Sequence, residues 1–411
     1  MIAIEELRKD EKNYALRLIE EIVDRCPRRA PASEDEKKCQ MMLKEQFECL
    51  GLPAEFQDFR FGPHLYANIA LHFGLGTLGT VVSGLAPALG LALHATAAGS
   101  YWAESTRKAY VLRRLLGFKP SQNLLATMPA ENGKPKLRLV FLAHADAAYT
   151  GLIFSPAVVK MNAKTTAPWL KRSMTLATQT TAALTFFDAL RMAYGPLTLP
   201  LRPIEYALTV PAFLAFVLNM EVVLRNRIVP GANDDLSGVA ALPVLAKRLG
   251  AKKPKDVEIV FGVTGCEEAS LGGADALARA MDKIWDKENT VIIGLDGLTN
   301  GDLQYFEIEG EIIRTPIPGW LKDILEDTAA SESRFRNEVK GFEIPVGGSD
   351  VAAFLAHGWN GVCLGCVDPA LGSPRHYHQP GDTPEHLDMD KLLYSIDFTE
   401  KLALAVMEKR R

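Results

Sequence analysis

Apolar positions recur along this chain with two different periods. Residues 4–24 set Ile4, Leu7, Leu16, Ile19 and Val23 at helical spacing, and residues 34–50 repeat the pattern up to Gly51, a helix stop. Residues 55–61 then alternate as a strand does. Four short apolar runs follow, at 137–143 (LRLVFLA), 257–263 (VEIVFGV), 290–295 (TVIIGL) and 361–366 (GVCLGC). Polar or glycine-rich stretches bound them, the pattern of strands buried on both faces of a largely parallel sheet. Helical patterns at 237–249, 270–284, 319–331, 349–357 and 388–408 separate the runs. The alternation predicts an α/β fold: a three-layer α/β/α domain with a mostly parallel, mixed central sheet.

Two stretches break this rhythm. Residues 65–101 contain no Asp, Glu, Lys or Arg. Two membrane-length helices of about 20 residues each just fit there. Residues 173–224 read as a helical hairpin around a turn at 195–203, less clean because it carries Gln179, Asp188, Arg191, Glu205, Asn219 and Glu221. We expect these segments to contact membrane lipid; the alternative is a soluble helical subdomain that caps a site or makes a dimer. The chain thus divides into an α/β domain of residues 1–61, 120–150 and 226–411 and an inserted apolar helical subdomain of residues 62–119 and 151–225. Arg107, Lys108, Arg113, Arg114 and Lys119 follow the first stretch, while Lys160, Lys164, Lys171, Arg172, Arg225 and Arg227 flank the second. If these are spans, the positive-inside rule leaves the α/β domain in the cytoplasm. A soluble cytoplasmic protein is the alternative. The charged, amphipathic N-terminus lacks the basic start and apolar core of a secretory signal.

Composition narrows the picture further. The chain has 411 residues and a net charge of −4, with Lys and Arg scattered rather than striped, so a nucleic-acid partner is not expected. Cys26, Cys39, Cys49, Cys266, Cys363 and Cys366 are too few and too dispersed for a disulfide framework; buried, reduced thiols are expected, the Cys363/Cys366 pair included. No GxSxG elbow and no phosphate loop occurs.

The chemistry-bearing residues gather where apolar runs end. His144-Ala-Asp146 follows LRLVFLA, at the carboxyl end of a predicted strand, where open α/β sheets bind ligands. An Asp beside a ligand His fixes its tautomer. Asp234-Asp235, in GANDDLSG, precedes a helix; N-capping alone explains such a pair, and so does a carboxylate that bridges two cations. Cys266-Glu267-Glu268 follows VEIVFGV, and adjacent carboxylates there are costly unless something positive lies between them. Asp296 ends TVIIGL, and RHYHQPGDTP at 375–384 offers His376 and His378, which spacing alone does not separate. Each motif has a bland reading by itself. Together they supply nitrogen and carboxylate ligands without thiolate, a set that suits Zn²⁺, with Mn²⁺ or Co²⁺ as alternatives.

The order of these motifs resembles the two-zinc aminopeptidases of metallopeptidase family 28, relatives of the bacterial leucyl aminopeptidases, of glutamate carboxypeptidase and, more distantly, of glutaminyl cyclases. The likeness covers about residues 1–61, 120–150 and 226–411 and leaves the apolar stretches as insertions. It implies two divalent metal ions held by His144, Asp234, Glu268, Asp296 and His378, with Asp234 bridging and a cis peptide before Asp235. It implies Glu267 as general base, Asp146 as the group that orients His144, and Tyr377 as a group that steadies the oxyanion. GGSDVAAF at 347–354 is similar to the family's Ser-Asp segment near the substrate pocket. Two features depart from the pattern: His144 and Asp234 lie 90 residues apart, and GLDG replaces the more usual Asp-Met. The expected activity is removal of N-terminal residues from peptides. The alternatives are a glutaminyl-cyclase-like acyltransferase, an amidohydrolase on small amides, and a non-catalytic membrane scaffold.

Overall fold

The computed structural model of the chain describes residues 2–131, 133–345 and 347–410; for residues 2–9 it describes the backbone alone, so the expected apolar positions Ile4 and Leu7 lie outside the described side chains. The strands are β1 (Ala54–Phe61), β2 (Lys119–Met128), β3 (Leu137–His144), β4 (Val257–Thr264), β5 (Thr290–Leu295), β6 (Asp302–Glu309), β7 (Thr315–Pro316), β8 (Lys340–Glu343) and β9 (Asn360–Val367). The α-helices are α1 (Ile2–Arg25), α2 (Glu34–Cys49), α3 (Leu65–Ser83), α4 (Pro87–Ser105), α5 (Pro156–Lys164), α6 (Pro168–Lys171), α7 (Ser173–Tyr194) and α8 (Arg202–Arg225). They continue with α9 (Leu236–Gly250), α10 (Gly272–Met281), α11 (Gly319–Ser331), α12 (Ser333–Arg336), α13 (Asp350–Ala356) and α14 (Met389–Arg410).

One mixed sheet runs in the order β1-β2-β4-β3-β5-β9-β6-β7, with β8 paired to β6. Its centre, β4-β3-β5-β9, is parallel, and β2 and β6 flank it antiparallel. Successive residues of a strand face opposite sides, so each central strand feeds two cores. Leu139 and Phe141 of β3 join Ile259 and Phe261 of β4 on the face covered by α1, α2, α9 and α14. Val140 and Leu142 turn the other way, with Val260, Ile292 and Cys363, against α10 and α13. This is the predicted three-layer α/β/α sandwich. The strands not anticipated individually, β2 and β6 to β8, lie outside the apolar centre and carry mixed or alternating sequence. The helix expected from residue 270 begins at Gly272, because Cys266, Ser270 and Leu271 adopt positive φ in the loop before it. Five of the six cysteines are buried and all are free, the CxxC pair among them.

The inserted segments form an antiparallel bundle of α3, α4, α7 and α8. Its interior mixes a small apolar cluster around Ile69, Phe73, Tyr101 and Ala177 with many polar groups. Buried among the helices are Asn68, His72, Thr80, Ser83, His94, Ser100, Glu104, Asp188, Arg191, Glu205 and Asn219. His94 Nδ1 lies 2.7 Å from Asp188, Ser83 donates to the other oxygen of that carboxylate, and Arg191 pairs with Glu205. Leu78, Val81, Leu89, Phe186, Val210, Phe213, Leu214 and Val217 point outward. The stretches Leu65–Ser83 and Ser173–Arg225 are long and apolar enough to cross a membrane, by length and composition.

The rings of Phe141 and Phe261 stack at 5.5 Å, with Phe47 of α2 6.0 Å beyond, which locks α2 to the sheet centre. Replacing Phe141 by Ala is expected to cost about 3–5 kcal/mol of stability. Denaturant unfolding checks this, and a loss under about 1 kcal/mol would mean that this stack does not organise the core.

Candidate metal centre

His144 is the last residue of β3, Glu267 and Glu268 lie just past β4, Asp296 follows β5, and His378 sits in the loop after β9. Asp234 closes the turn that leads into α9. All six thus meet at the carboxyl edge of the parallel strands, the place where backbone diverges and side chains converge. Asp234 lies between the two histidines: its Oδ1 is 3.1 Å from His144 Nε2 and its Oδ2 is 3.2 Å from His378 Nε2. His378 Nε2 also lies 3.3 Å from Glu268, and Glu267 Oε2 is 3.9 Å from His144 Nε2. Three sets of ligand atoms each fit within 4.8 Å: His144 with Asp234 and Asp296, Asp234 with Glu268 and His378, and His144 with Glu267 and Glu268. His376, left open by spacing, stands apart and stacks on His386 at 4.7 Å.

This donor set suits cations. His144 Nε2 and Glu268 Oε1 are buried and, among the described residues, have no hydrogen-bond partner; each faces other donor atoms instead. Burial pushes Glu267 well above the carboxylate range, and burial together with the Asp234 charge raises Asp296 to about 7. Burial also raises Asp234, yet His144 and His378 outweigh it and hold that carboxyl below its ordinary value. Burial depresses His378, but the Glu268 and Asp234 charges carry it up to about 10. Buried acids this crowded are relieved by positive charge between them, and divalent ions bound by N and O ligands supply it.

A second ring of carboxylates holds the first in place by gripping backbone. Asp235 follows Asp234 through a cis peptide. Its carboxylate accepts the N–H groups of His144, Gly238 and Gly297, each at 3.1 Å. Asp382 accepts those of Asn233 and Asp234, and Asp146 those of Glu267 and Glu268. Asp146 also stands beside His144, the residue it is expected to orient. His144 Nδ1 meets the backbone carbonyl of Asp146 at 3.1 Å, and the carboxylate, 3.6 Å away, is turned toward the Glu267–Glu268 loop. Two arginines from the inserted region pin the same loop: Arg113 donates to Ala269 O at 2.7 Å and Arg107 to Ser270 O. Tyr377 stacks on His378 at 3.9 Å, and burial pushes its phenol well above its usual range, so it keeps its proton. Asp350, of the GGSD segment, accepts from Thr264 beside the cluster. The sequence did not single out Asp382, for which the PGDTP turn was a signal, and it offered Arg107 and Arg113 only as charges flanking an apolar stretch, because their contacts here span more than 150 residues.

Residues 218–401 match the model of Peptidase family M28. No curated protein sequence matches the chain. The fold is similar to an aminopeptidase from Aneurinibacillus sp. strain AM-1, with 15% identity over 95% of this chain and 93% of the other and a TM-score of 0.53. A zinc aminopeptidase from Bacillus subtilis gives 14% identity, 95% and 94% coverage and a TM-score of 0.55. Glutaminyl cyclase from Porphyromonas gingivalis gives 12% identity, 97% and 98% coverage and a TM-score of 0.52.

Replacing Asp235 by Ala leaves three buried N–H groups without their acceptor. At about 1–3 kcal/mol for each, the expected loss of stability is roughly 3 kcal/mol or more. Urea unfolding of the metal-free protein measures it, and a loss under about 1 kcal/mol would contradict this account of how the turn is held.

Proposed function

We propose that the chain is a member of peptidase family M28 and a metal-dependent peptidase that removes N-terminal residues, with two divalent ions, most simply zinc, at His144, Asp234, Glu268, Asp296 and His378. The observation that carries this reading is the position of Asp234, whose two oxygens each face a different histidine within 3.2 Å. His144 and Asp296 complete one side, and Glu268 and His378 the other. Bound ions would polarise the scissile carbonyl and ease deprotonation of the attacking water. Glu267, raised by burial and beside the ligands without being needed as one, accepts that proton and passes it to the leaving amine. Tyr377, kept neutral, has an O–H free to donate to the carbonyl oxygen as charge develops there. The Asp146 carboxylate holds Glu267 at its backbone, so its role is positioning.

The metal content of the purified protein and cleavage of paired dipeptides, free and N-blocked, test this. The expected result is about two ions per chain, cleavage of the free set alone and loss on chelation. Glu267→Gln should keep both ions and lose about two to four orders of magnitude in kcat. Near-normal turnover by that variant would remove Glu267 from the mechanism. The glutaminyl cyclase neighbours favour a second reading, so the panel includes a peptide with N-terminal Gln. Release of ammonia without peptide cleavage selects the cyclase.

The bundle is proposed to lie in a bilayer with the α/β domain on the cytoplasmic side. Its buried polar network and its exposed apolar side chains support this, because buried polar groups hydrogen-bond one another where lipid offers no partners. Lysine and arginine residues flank the apolar segments on the sides that join the α/β domain, at 107–119 and 225–227. Membranes from expressing cells should retain the protein through an alkaline carbonate wash and release it in detergent. Quantitative release by carbonate would instead support a soluble cap.

A further inference from the structure

The inserted segments meet the donor cluster on two sides. On one side the ring of Phe154 lies 4.5 Å from that of His378, and Tyr66, in the first turn of α3, meets Phe154 edge-on at 6.3 Å. On the other side a buried cation makes the contact: Arg113, which follows α4. Its Nη1 donates to the carbonyl oxygens of Gly62 and Ala269, both at 2.7 Å. Its Nε donates to Glu104 of α4 at 2.8 Å, and Glu104 also accepts from Asn68 of α3 at 2.7 Å. Glu104 and Asn68 are buried as well. A Cβ on Gly62 would fall 2.7 Å from Arg113 Cγ, so the backbone there rests directly against the arginine side chain. A continuous linkage thus runs from α3 to α4 and through Arg113 to a backbone oxygen 156 residues further along the chain. Arg107 adds a second contact, to Ser270 O.

The loop that these arginines hold carries Glu267 and Glu268. Its first half is gripped from the sandwich: Glu36 accepts the N–H of Cys266, and Asp146 accepts those of Glu267 and Glu268. Its second half presents carbonyl oxygens, which need donors, and Arg113 and Arg107 are the donors at Ala269 and Ser270. Ser270 and Leu271 sit at φ of 80° and 59°, a conformation costly for residues with a side chain, so this half keeps its path only while it is held. We propose that Arg113, anchored by Glu104, is a positioning residue for Glu267 and Glu268, and that the inserted helices are therefore a working part of the centre and not a separable anchor. The inference rests on the peptidase reading and adds to it how the base is kept in place. Arg113 grips the residue next to Glu268, and groups that stand behind metal ligands in this way are worth about 10–100-fold in metal affinity or activity.

Full-length Arg113→Met, Arg113→Lys and the double variant Arg113→Met/Glu104→Gln test this, with Arg191→Met as a control and thermal melts to confirm folding. The double variant removes both members of the buried pair, so no charge is left unpaired if Arg113→Met alone does not fold. Arg191 pairs with Glu205 inside the bundle, so its loss disturbs the bundle without touching the loop. Hydrogen exchange across residues 265–273 should quicken in Arg113→Met and in the double variant. Zinc affinity, read by competition with a chelator, should fall about 10–100-fold, and kcat by a similar factor with KM nearly unchanged. Arg113→Lys should recover part of each loss, because an ammonium also donates to carbonyl oxygens. Arg191→Met should exchange across the loop and bind zinc as the wild type does, whatever its melting temperature. Unchanged exchange and zinc affinity in the folded Arg113 variants, or the same changes in Arg191→Met, overturn the proposal. If exchange and zinc affinity follow Arg113 while no peptide is cleaved, the positioning role stands and the peptidase reading fails.

Discussion

Repulsion among buried carboxylates is the constraint around which this structure is arranged. Asp234, Glu267, Glu268 and Asp296 converge on two histidines with little solvent to screen them. Four acids would not stay together on their charges alone. The fold holds them through backbone: Asp235, Asp382 and Asp146 each accept two or more N–H groups from the turns that carry the cluster. A preorganised cluster of carboxyl groups is the result, and a cation among them would relieve the cost of assembling it.

The sandwich makes such rigidity possible. Parallel strands buried on both faces end at one edge, and the turns beyond them inherit their fixed positions. The loop after β4 is the least comfortable of these, with positive φ at Cys266, Ser270 and Leu271. Residues of this type pay for that conformation, and the loop keeps it because Glu36, Asp146, Arg107 and Arg113 all bind its backbone. Two of those four come from the region after α4. The inserted helices are therefore coupled to the loop that bears the proposed base, as well as to the aromatic wall above the histidines.

The bundle buries polar groups that the sandwich core excludes. Where the sandwich packs Leu, Ile, Val and Phe inward, the bundle buries Asp188, His94, Arg191 and Glu205 beside Ile69, Phe73, Tyr101 and Leu184, and shows other leucines and phenylalanines outside. Many of these groups pair with one another: Ser83 and His94 with Asp188, and Arg191 and Arg202 with Glu205. Polar contacts of this kind fix which helices pair, since apolar packing alone is nearly indifferent to register.

Much of this was legible in the linear chain, because the controlling interactions are local or periodic. The central strands follow from apolar runs at 137–143, 257–263, 290–295 and 361–366, and α7 from the apolar stretch beginning at Ser173. The candidate ligands follow from polar residues stationed at strand ends. Strands β2 and β6 were not legible, since their sequences are half polar and their pairing is set by neighbours far along the chain. Spacing did not separate His378 from His376, and the resemblance alone pointed to His378; in the loop after β9 two residues of offset send one ring to Asp234 and the other to His386. The aim of Asp146 at the Glu267–Glu268 backbone, the grip of Arg107 and Arg113, and the approach of Tyr66 and Phe154 to the histidines likewise belong to tertiary structure. Sequence determines which groups are present and which face of an element they occupy; only the folded chain brings together groups more than a hundred residues apart, because those contacts depend on how the sheet is ordered and not on any local periodicity.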